Sequence, residues 1–436
     1  MVTLLTNMAL LSALPPNKVI DGIHLHSFPT ASPPMPRRPA HTVPSPTSFD
    51  DAIFGPYSAF WRPAYQQEIN SLFRYGVWRL ERVPPGALIL PCKLVFKVKP
   101  DGKDPPGIDK FKCRYCGKGC VQKKGVHFIC SHAPVAAAVT NCIVVAFATE
   151  FGWELHAMDV SNAYLNANLH HSIVMFVKPP PTIRVPRGYG LRLLKGLYGT
   201  MQGGNRWAVH KHATLTDLGY TRNTADPSLY HRHDEHGIVI MSIVVDDFKI
   251  TGYPSSAIAF AKHQLKQKWD MTDLGLLKFF TNVEIKRDMK RHITTMKQTG
   301  YIESMLAKYN LQDSYVKHTP CTSTIYHQRL LDPVSPFAPM FNNDFSSQVG
   351  TLGYLRRTRP DLCVSLGVSG QFAKQGRHGP PHYRALRNIM RHCLLTKHYG
   401  LEYRSSLKRF RTPWNISGHV DSDWATWKAT CRSRSG

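Results

Sequence analysis

Residues 236–252 read HGIVIMSIVVDDFKITG: an apolar run, two adjacent acids, then a second short apolar stretch. Runs rich in β-branched residues on both sides of a tight polar break predict a β-hairpin, with Asp246 and Asp247 as a two-residue turn. Taken alone, two acids at a turn are an ordinary solvated feature. A second stretch changes their weight. In residues 153–160, WELHAMDV, another apolar strand ends on an acid, Asp159, and a helix-like SNAYLNANL follows. If these strands are neighbours, three carboxylates meet at one edge of a sheet. Two unit charges about 4 Å apart at an effective dielectric near 20 repel by roughly 4 kcal/mol. Such a cluster calls for protons or divalent cations, and oxygen-only ligands suit Mg²⁺ or Mn²⁺ rather than zinc.

Outward from this pair of strands, helices and strands alternate in a way that predicts an α+β, palm-like sheet with helices on one face. Residues 1–47 are rich in Pro, Ser and Thr and read as a flexible leader. Trp61, Ala64, Glu68 and Leu72 recur at helical spacing, with Pro63 expected in the first turn and Gly76 as the stop. LILPCKLVFKVKP predicts a strand, DGKDPPG a turn, and the Ala/Val-rich run 134–151 a buried helix. After about residue 285 the pattern turns helical, and LLDPVSPFAPMFNNDF interrupts it as a boundary loop.

A chain of 436 residues suits two or three domains, and 42% hydrophobic content excludes wholesale disorder. Its 55 Lys and Arg against 29 Asp and Glu leave a formal charge of +26, which favours an anionic partner, nucleic acid first. The opening MVTLLTNMALLSALPP lacks the basic residues of a signal peptide, and no stretch reaches the roughly 18 apolar residues of a membrane helix. Ten cysteines over this length do not make a disulfide framework.

The order of motifs resembles the reverse transcriptase region of copia-type retrotransposon Pol polyproteins. WRPAYQQEINSL and GVWRL resemble its opening helix and strand. PCKLVFKVKPDG, KFKCRYCGKGCVQKKGVHF and HAPV resemble its fingers. HAMDVSNAYLNANL, LLKGLYGTMQGGNRW and SIVVDDFKITG resemble its three catalytic motifs in turn. DLGLLKFFTNVEI, QTGYIESMLAKYNL, VGTLGYLRRTRPDL and GPPHYRALRNIMRHCLLTKHYGLEY follow in the family's order. The resemblance implies a right-hand polymerase fold: fingers and palm over 48–290 and thumb and connection helices over 291–405, with the start of a ribonuclease H domain over 406–436.

It also implies an RNA-directed DNA polymerase that adds deoxynucleotides to a primer 3′-hydroxyl with two Mg²⁺ or Mn²⁺ ions. Asp159, Asp246 and Asp247 match its catalytic, metal-holding acids. Lys112 and Arg114 match the basic pair that holds the incoming triphosphate, where an Arg fork or Lys point charge is what phosphate requires. Tyr164 matches the aromatic that blocks a ribose 2′-hydroxyl, and Gln202 the polar residue near the templating pair. The implied partners are an RNA or DNA template-primer and deoxynucleoside triphosphates, in the cytoplasm (in a virus-like particle) or nucleus, without secretion or a membrane. Asp421, in GHVDSDWATWKATCRSRSG, matches the first metal-binding acid of the ribonuclease H domain. The chain stops at Gly436, so no ribonuclease H activity is expected.

Several positions depart from that pattern. Val244 stands where the family has Tyr, and Lys249 where an apolar residue is expected. Gly203-Gly204-Asn205 replaces a small residue, Pro and Arg, Tyr115-Cys116 follows Arg114 in place of Leu-Val, and Thr281-Asn282 replaces Leu-Gly. They suggest a degenerate copy, the alternative being an inactive nucleic-acid-binding remnant. A second alternative is a zinc-binding module: Cys113, Cys116, His127 and Cys130, with Cys120 and His132 nearby, have a passable ligand spacing.

Overall fold

The computed structural model describes residues 18–20, 22–101, 107–321, 344–373 and 379–405. Asp421, the expected ribonuclease H strand and most of the 330–345 loop lie outside them.

The described part of the leader is docked rather than loose. β1 (Lys18–Ile20) and β2 (Ile23–Leu25) pair with each other, and β2 pairs with β9 (Ile183–Arg184) far along the chain. Ile23, Leu25 and Val43 are buried in the core that also holds α1 (Phe49–Phe54) and α2 (Ser58–Arg74). These apolar residues, spread thinly among prolines, carry no periodicity that a sequence reading can detect. Ser48 caps α1 by accepting a hydrogen bond from the Asp51 amide. Because Gly55-Pro56 ends α1, α2 starts at once at Ser58, so Pro63 falls beyond its first turn and not in it. The face Trp61, Tyr65, Ile69, Leu72 is buried.

β3 (Trp78–Arg82), β4 (Ile89–Leu90), β8 (Phe176–Val177) and β10 (Tyr189–Leu193) form a small sheet in the order β3-β10-β8-β4. From it a long antiparallel hairpin extends, β5 (Cys92–Pro100) and β6 (Ile108–Gly117). Trp61 of α2 meets Phe96 and Phe111 of this hairpin edge-on, at 5.4 and 4.7 Å between ring centres. Aromatic pairs of this geometry add to the area they bury.

The centre is a six-stranded sheet in the order β11-β12-β13-β14-β7-β15. Its members are β7 (Leu155–Val160), β11 (Thr221–Arg222), β12 (Leu229–Asp234), β13 (Gly237–Val244), β14 (Asp247–Tyr253) and β15 (Met271–Leu276). One face, including Met158, Val239, Met241, Ile243, Phe248 and Ile250, packs against α4 (Gly203–Asp217) and α5 (Ser255–Lys268). The other face is covered in part by α3 (Ala138–Glu150) and a second sheet, β16 (Phe279–Phe280), β17 (Val283–Asp288), β18 (Ile293–Lys297) and β19 (Gly400–Arg404). Helices therefore cover both faces, where the sequence suggested one. The strands also continue to Lys297, so a domain boundary at 290 would cut the β17–β18 hairpin. Short strands with mixed charge, such as VEIKRD, carry too little alternation to be seen in advance.

Beyond them α6 (Thr299–Lys308), α7 (Phe345–Gly353), α8 (Cys363–Gly370) and α9 (Pro380–Leu395) share a separate apolar core around Ile302, Leu352, Leu366 and Ile389.

Candidate functional site

Strand register brings the three acids together. Phe248 must face the same core as Ile243 and Met158, and that alternation fixes the pairing Ile243↔Phe248 and Phe248↔Met158. One residue earlier, Asp247 then stands directly across from Asp159 on β7 and from Val244 on β13. The turn is therefore Val245–Asp246, not Asp246–Asp247 as the sequence suggested, and Asp247 is the first residue of β14. Val245 has φ 58°, uncommon for a β-branched residue. Trp207 of α4 holds it there, its indole Nε1 donating to the Val245 carbonyl at 2.7 Å. Asp246 is tied to β7 by its carbonyl, which accepts from the Val160 amide at 3.0 Å.

Like charges directly opposite in a sheet destabilise it. Burial first, and then Asp246 and Asp159, push the Asp247 carboxyl up to about 6. Burial and then Asp246 also raise the Asp159 carboxyl, while Lys112, Lys110 and Arg114 oppose the rise. Among the described residues no three His, Cys, Asp or Glu side chains stand ready as a metal cage. The donor set nevertheless suits a hard divalent cation in kind, being oxygen alone and short of positive charge.

The charge that answers these acids comes from the β5–β6 hairpin. Lys112 and Arg114 lie on one face of β6, and Lys97↔Lys112 and Lys99↔Lys110 are cross-strand pairs. Burial, and then Arg114, Lys110 and Lys99, lower the Lys112 ammonium, while Asp159 pulls it back. Lys99 is lowered in the same way by burial and then by Lys97, Arg114 and Lys110. The sequence reading singled out Lys112 and Arg114 but missed Lys99 and Lys110. The alternating KVK and KFK of the two strands were the available signal.

The same alternation removes the zinc alternative. Cys113 is buried towards α2 with Phe111 and Tyr115, whereas Cys116 belongs to the opposite face, with Lys112 and Arg114. Two ligands on opposite faces of one strand cannot meet at one ion. His127 is already engaged, its Nδ1 accepting from the Lys123 amide at 2.9 Å. All nine described cysteines are free.

Tyr164 and Gln202 lie beside this cleft. Tyr164 sits in a single 3₁₀ turn, Ala163–Asn166, rather than a helix, and its ring lies 4.9 Å from that of Tyr198. Gln202 is buried at the start of α4, and its Oε1 accepts from Gln122 Nε2 at 2.8 Å. Gln122 Oε1 in turn accepts from the Met201 amide at 2.9 Å. The end of β6 is stitched to this loop by Gly117 N to the Tyr198 carbonyl at 2.8 Å and Gly119 N to the Gly199 carbonyl at 3.0 Å. The approach requires glycine: at Gly199, with φ +79°, a Cβ would lie 2.3 Å from the Gly117 carbonyl oxygen. Tyr198 and Gln122 were not legible as site residues, since their partners lie far away in the chain.

The family model described as "Reverse transcriptase (RNA-dependent DNA polymerase)" matches residues 75–323. The chain is 28% identical over 351 residues to the "Retrovirus-related Pol polyprotein from transposon TNT 1-94" of Nicotiana tabacum, covering 80% of this chain and 26% of that protein. It is 29% identical over 377 residues to the corresponding polyprotein from transposon RE1 of Arabidopsis thaliana, covering 84% of this chain and 24% of that one. The chain thus spans about a quarter of the length of these relatives. Its likeness to the solved foamy viral protease-reverse transcriptase in complex with double-stranded DNA is distant: TM-score 0.37 and 13% identity, over 78% of this chain and 48% of that one. Among the described residues no helix is long and apolar enough to cross a membrane. With the family model spanning more than half of the 436 residues, and with transposon polyproteins as relatives, the chain belongs to the reverse transcriptase family, as the reverse transcriptase region of a copia-type retrotransposon.

Proposed function

We propose that the chain is an RNA-directed DNA polymerase that joins deoxynucleotides to a primer 3′-hydroxyl. The observation that carries the reading is the antiparallel register setting Asp159 across from Asp247, with Asp246 in the adjoining turn and a basic hairpin opposite. Asp159, Asp246 and Asp247 would hold Mg²⁺ or Mn²⁺, with Asp159 and Asp246 the principal ligands. When bound, two such ions lower the barrier by stabilising the attacking and leaving oxygens. Lys112 and Arg114, with Lys99 and Lys110 adding charge, receive the triphosphate, whose negative charge relieves the hairpin's self-repulsion. Tyr164 excludes a ribose 2′-hydroxyl, and Gln202, oriented by Gln122, faces the templating pair. The excess of +26 suits a template-primer backbone, so binding should weaken steeply with salt. In this reading the fingers and palm are the β5–β6 hairpin with the six-stranded sheet, and the thumb is the α6–α9 bundle.

A second reading, a remnant that binds nucleic acid without turnover, is favoured by one region. Thr281 and Asn282 form the turn between β16 and β17 with φ 47° and 56°, a geometry that asks for Asn-Gly. Nearby, Lys249 is 1% exposed, facing Asn141 Oδ1 at 2.9 Å and the Phe280 ring at 4.3 Å. Burial lowers its ammonium to about 7. These are local conflicts of the kind that accumulate without selection.

Primer extension on poly(rA)/oligo(dT) by the full chain separates the two. Extension that Asp246→Asn cuts by about 10²–10³-fold is expected of the polymerase. Extension that survives Asp246→Asn refutes the site. Salt-sensitive binding of the primer-template without any extension supports the remnant.

A further inference from the structure

Arg114 is held in an unusual way for a buried-edge cation. Its guanidinium carbon lies 4.1 Å from the centre of the Tyr198 ring, and its Nε is buried with no hydrogen-bond partner among the described residues. No described carboxylate forms an ion pair with it. Of the acids that feel its charge, Asp159 belongs to the acid cluster, and Glu68 accepts from the Tyr115 amide at 2.9 Å, with burial pushing its carboxyl up to about 7. A carboxylate partner would fix the guanidinium but consume the N–H fork that a phosphate needs. A ring fixes it by its face and leaves the edge free.

Tyr198 also touches Tyr164, the ring centres 4.9 Å apart, so one side chain braces two residues that the polymerase reading assigns to the nucleotide. Its own position is set by the glycine-tight joint between Gly117 and Gly199. Its hydroxyl is buried without a partner among the described residues, and its ring makes the contacts with Arg114 and Tyr164.

We propose that Tyr198 is a positioning residue: its ring aims Arg114 at the triphosphate and seats Tyr164 against the sugar, coupling nucleotide affinity to sugar discrimination. The proposal rests on the polymerase reading for the roles of Arg114 and Tyr164, and its test has an arm that needs no turnover. Full chain with poly(rA)/oligo(dT) is titrated with dTTP and with UTP, and steady-state extension is measured in parallel. Tyr198→Leu is expected to weaken dTTP binding about tenfold, raise KM in step with kcat nearly unchanged, and narrow the dTTP-over-UTP preference. Tyr198→Phe restores all three. In an Arg114→Ala background, Tyr198→Leu adds little further loss of dTTP affinity, because the two act as one unit.

A thermal melt within a few degrees of the parent shows that Tyr198→Leu is folded, and if it is not, Tyr198→His replaces it as the ring-weakening variant. Binding and preference unchanged by Tyr198→Leu overturn the proposal, as does a Tyr198→Phe variant as impaired as the Leu one, or full additivity with Arg114→Ala. If the parent chain binds dTTP but extends nothing, the polymerase reading falls while the binding arm still decides on Tyr198. If it binds no dTTP, both fall.

Discussion

The acid end of the six-stranded sheet and the basic hairpin opposite are each held by a buried apolar face and each strained by its own charge, but they differ in how that charge is carried. The acids stand at the end of strands whose other face is an apolar layer around Met158, Met241, Ile243 and Phe248. Register there follows from Phe248, Ile243 and Met158, and the carboxylates are carried to their place by side chains that take no part in chemistry. The hairpin too has a buried face, Phe96, Val98, Ile108, Phe111, Cys113 and Tyr115, but its register sets a row of lysines on the other face instead of a few acids at a strand end. It is pinned near α2 by aromatic contacts of Trp61 and by the buried Glu68, and joined to the rest through glycine-tight backbone contacts at Gly117 and Gly119. In the first region burial and then neighbouring acids raise the Asp159 and Asp247 carboxyls, and in the second burial and then neighbouring cations lower the Lys99 and Lys112 ammoniums. The contrast teaches that a site for an anionic, cation-loaded substrate can be left electrostatically unfinished on both sides. Stability is supplied by elements behind it.

The comparison breaks most readily at Phe248. Phe248→Ala removes a fully buried ring from the layer that sets the acids' register and is expected to cost about 3–5 kcal/mol, read by urea denaturation. A loss under 1 kcal/mol would show that the register is fixed elsewhere.

On the hairpin side, Glu68 sharpens the contrast through pH. Its carboxyl keeps its proton in the fold to about 7, against an ordinary value of 4.5. The folded chain therefore binds more protons than the unfolded one between these values. The stabilisation is complete below the lower value and is lost as pH rises through the upper one, a change on the order of 3 kcal/mol. Glu68→Gln keeps an acceptor for the Tyr115 amide and should flatten that part of the stability–pH curve. An unchanged slope would mean that Glu68 is ionised in the fold.

The smallest effect is expected away from both regions, at the β16–β17 turn. Thr281→Asn with Asn282→Gly suits the positive φ of both residues and should stabilise by up to about 1 kcal/mol, with nucleotide binding unchanged. A destabilised double variant would show that the contact of the Tyr354 hydroxyl with the Thr281 carbonyl, at 2.7 Å, needs the native turn.

Much of the site could be read before the fold was known. The strand before Asp247 was legible as a long apolar run broken by acids, and the one carrying Asp159 as a shorter patterned run with an acid near its end. The turn was placed one residue too late, because two adjacent acids look like a turn while the pairing of Phe248 decides the true one. Lys112 and Arg114 were named for their match to a family pattern, whereas Lys99 and Lys110 became visible only when the two strands were laid side by side. The leader and the β17–β18 hairpin were misjudged because a few apolar residues among prolines or charges leave no period to detect, yet find partners more than a hundred residues away.

The sequence by itself determined which segments could be buried strands, how strongly positive the chain is, and the family whose motif order it keeps. Only the tertiary structure decided that Asp159 faces Asp247, that Cys113 and Cys116 point apart, and that Tyr198 lies between Arg114 and Tyr164. The reason is physical: local pattern fixes the period of each strand, but register and the meeting of distant loops are set by which buried surfaces fit together.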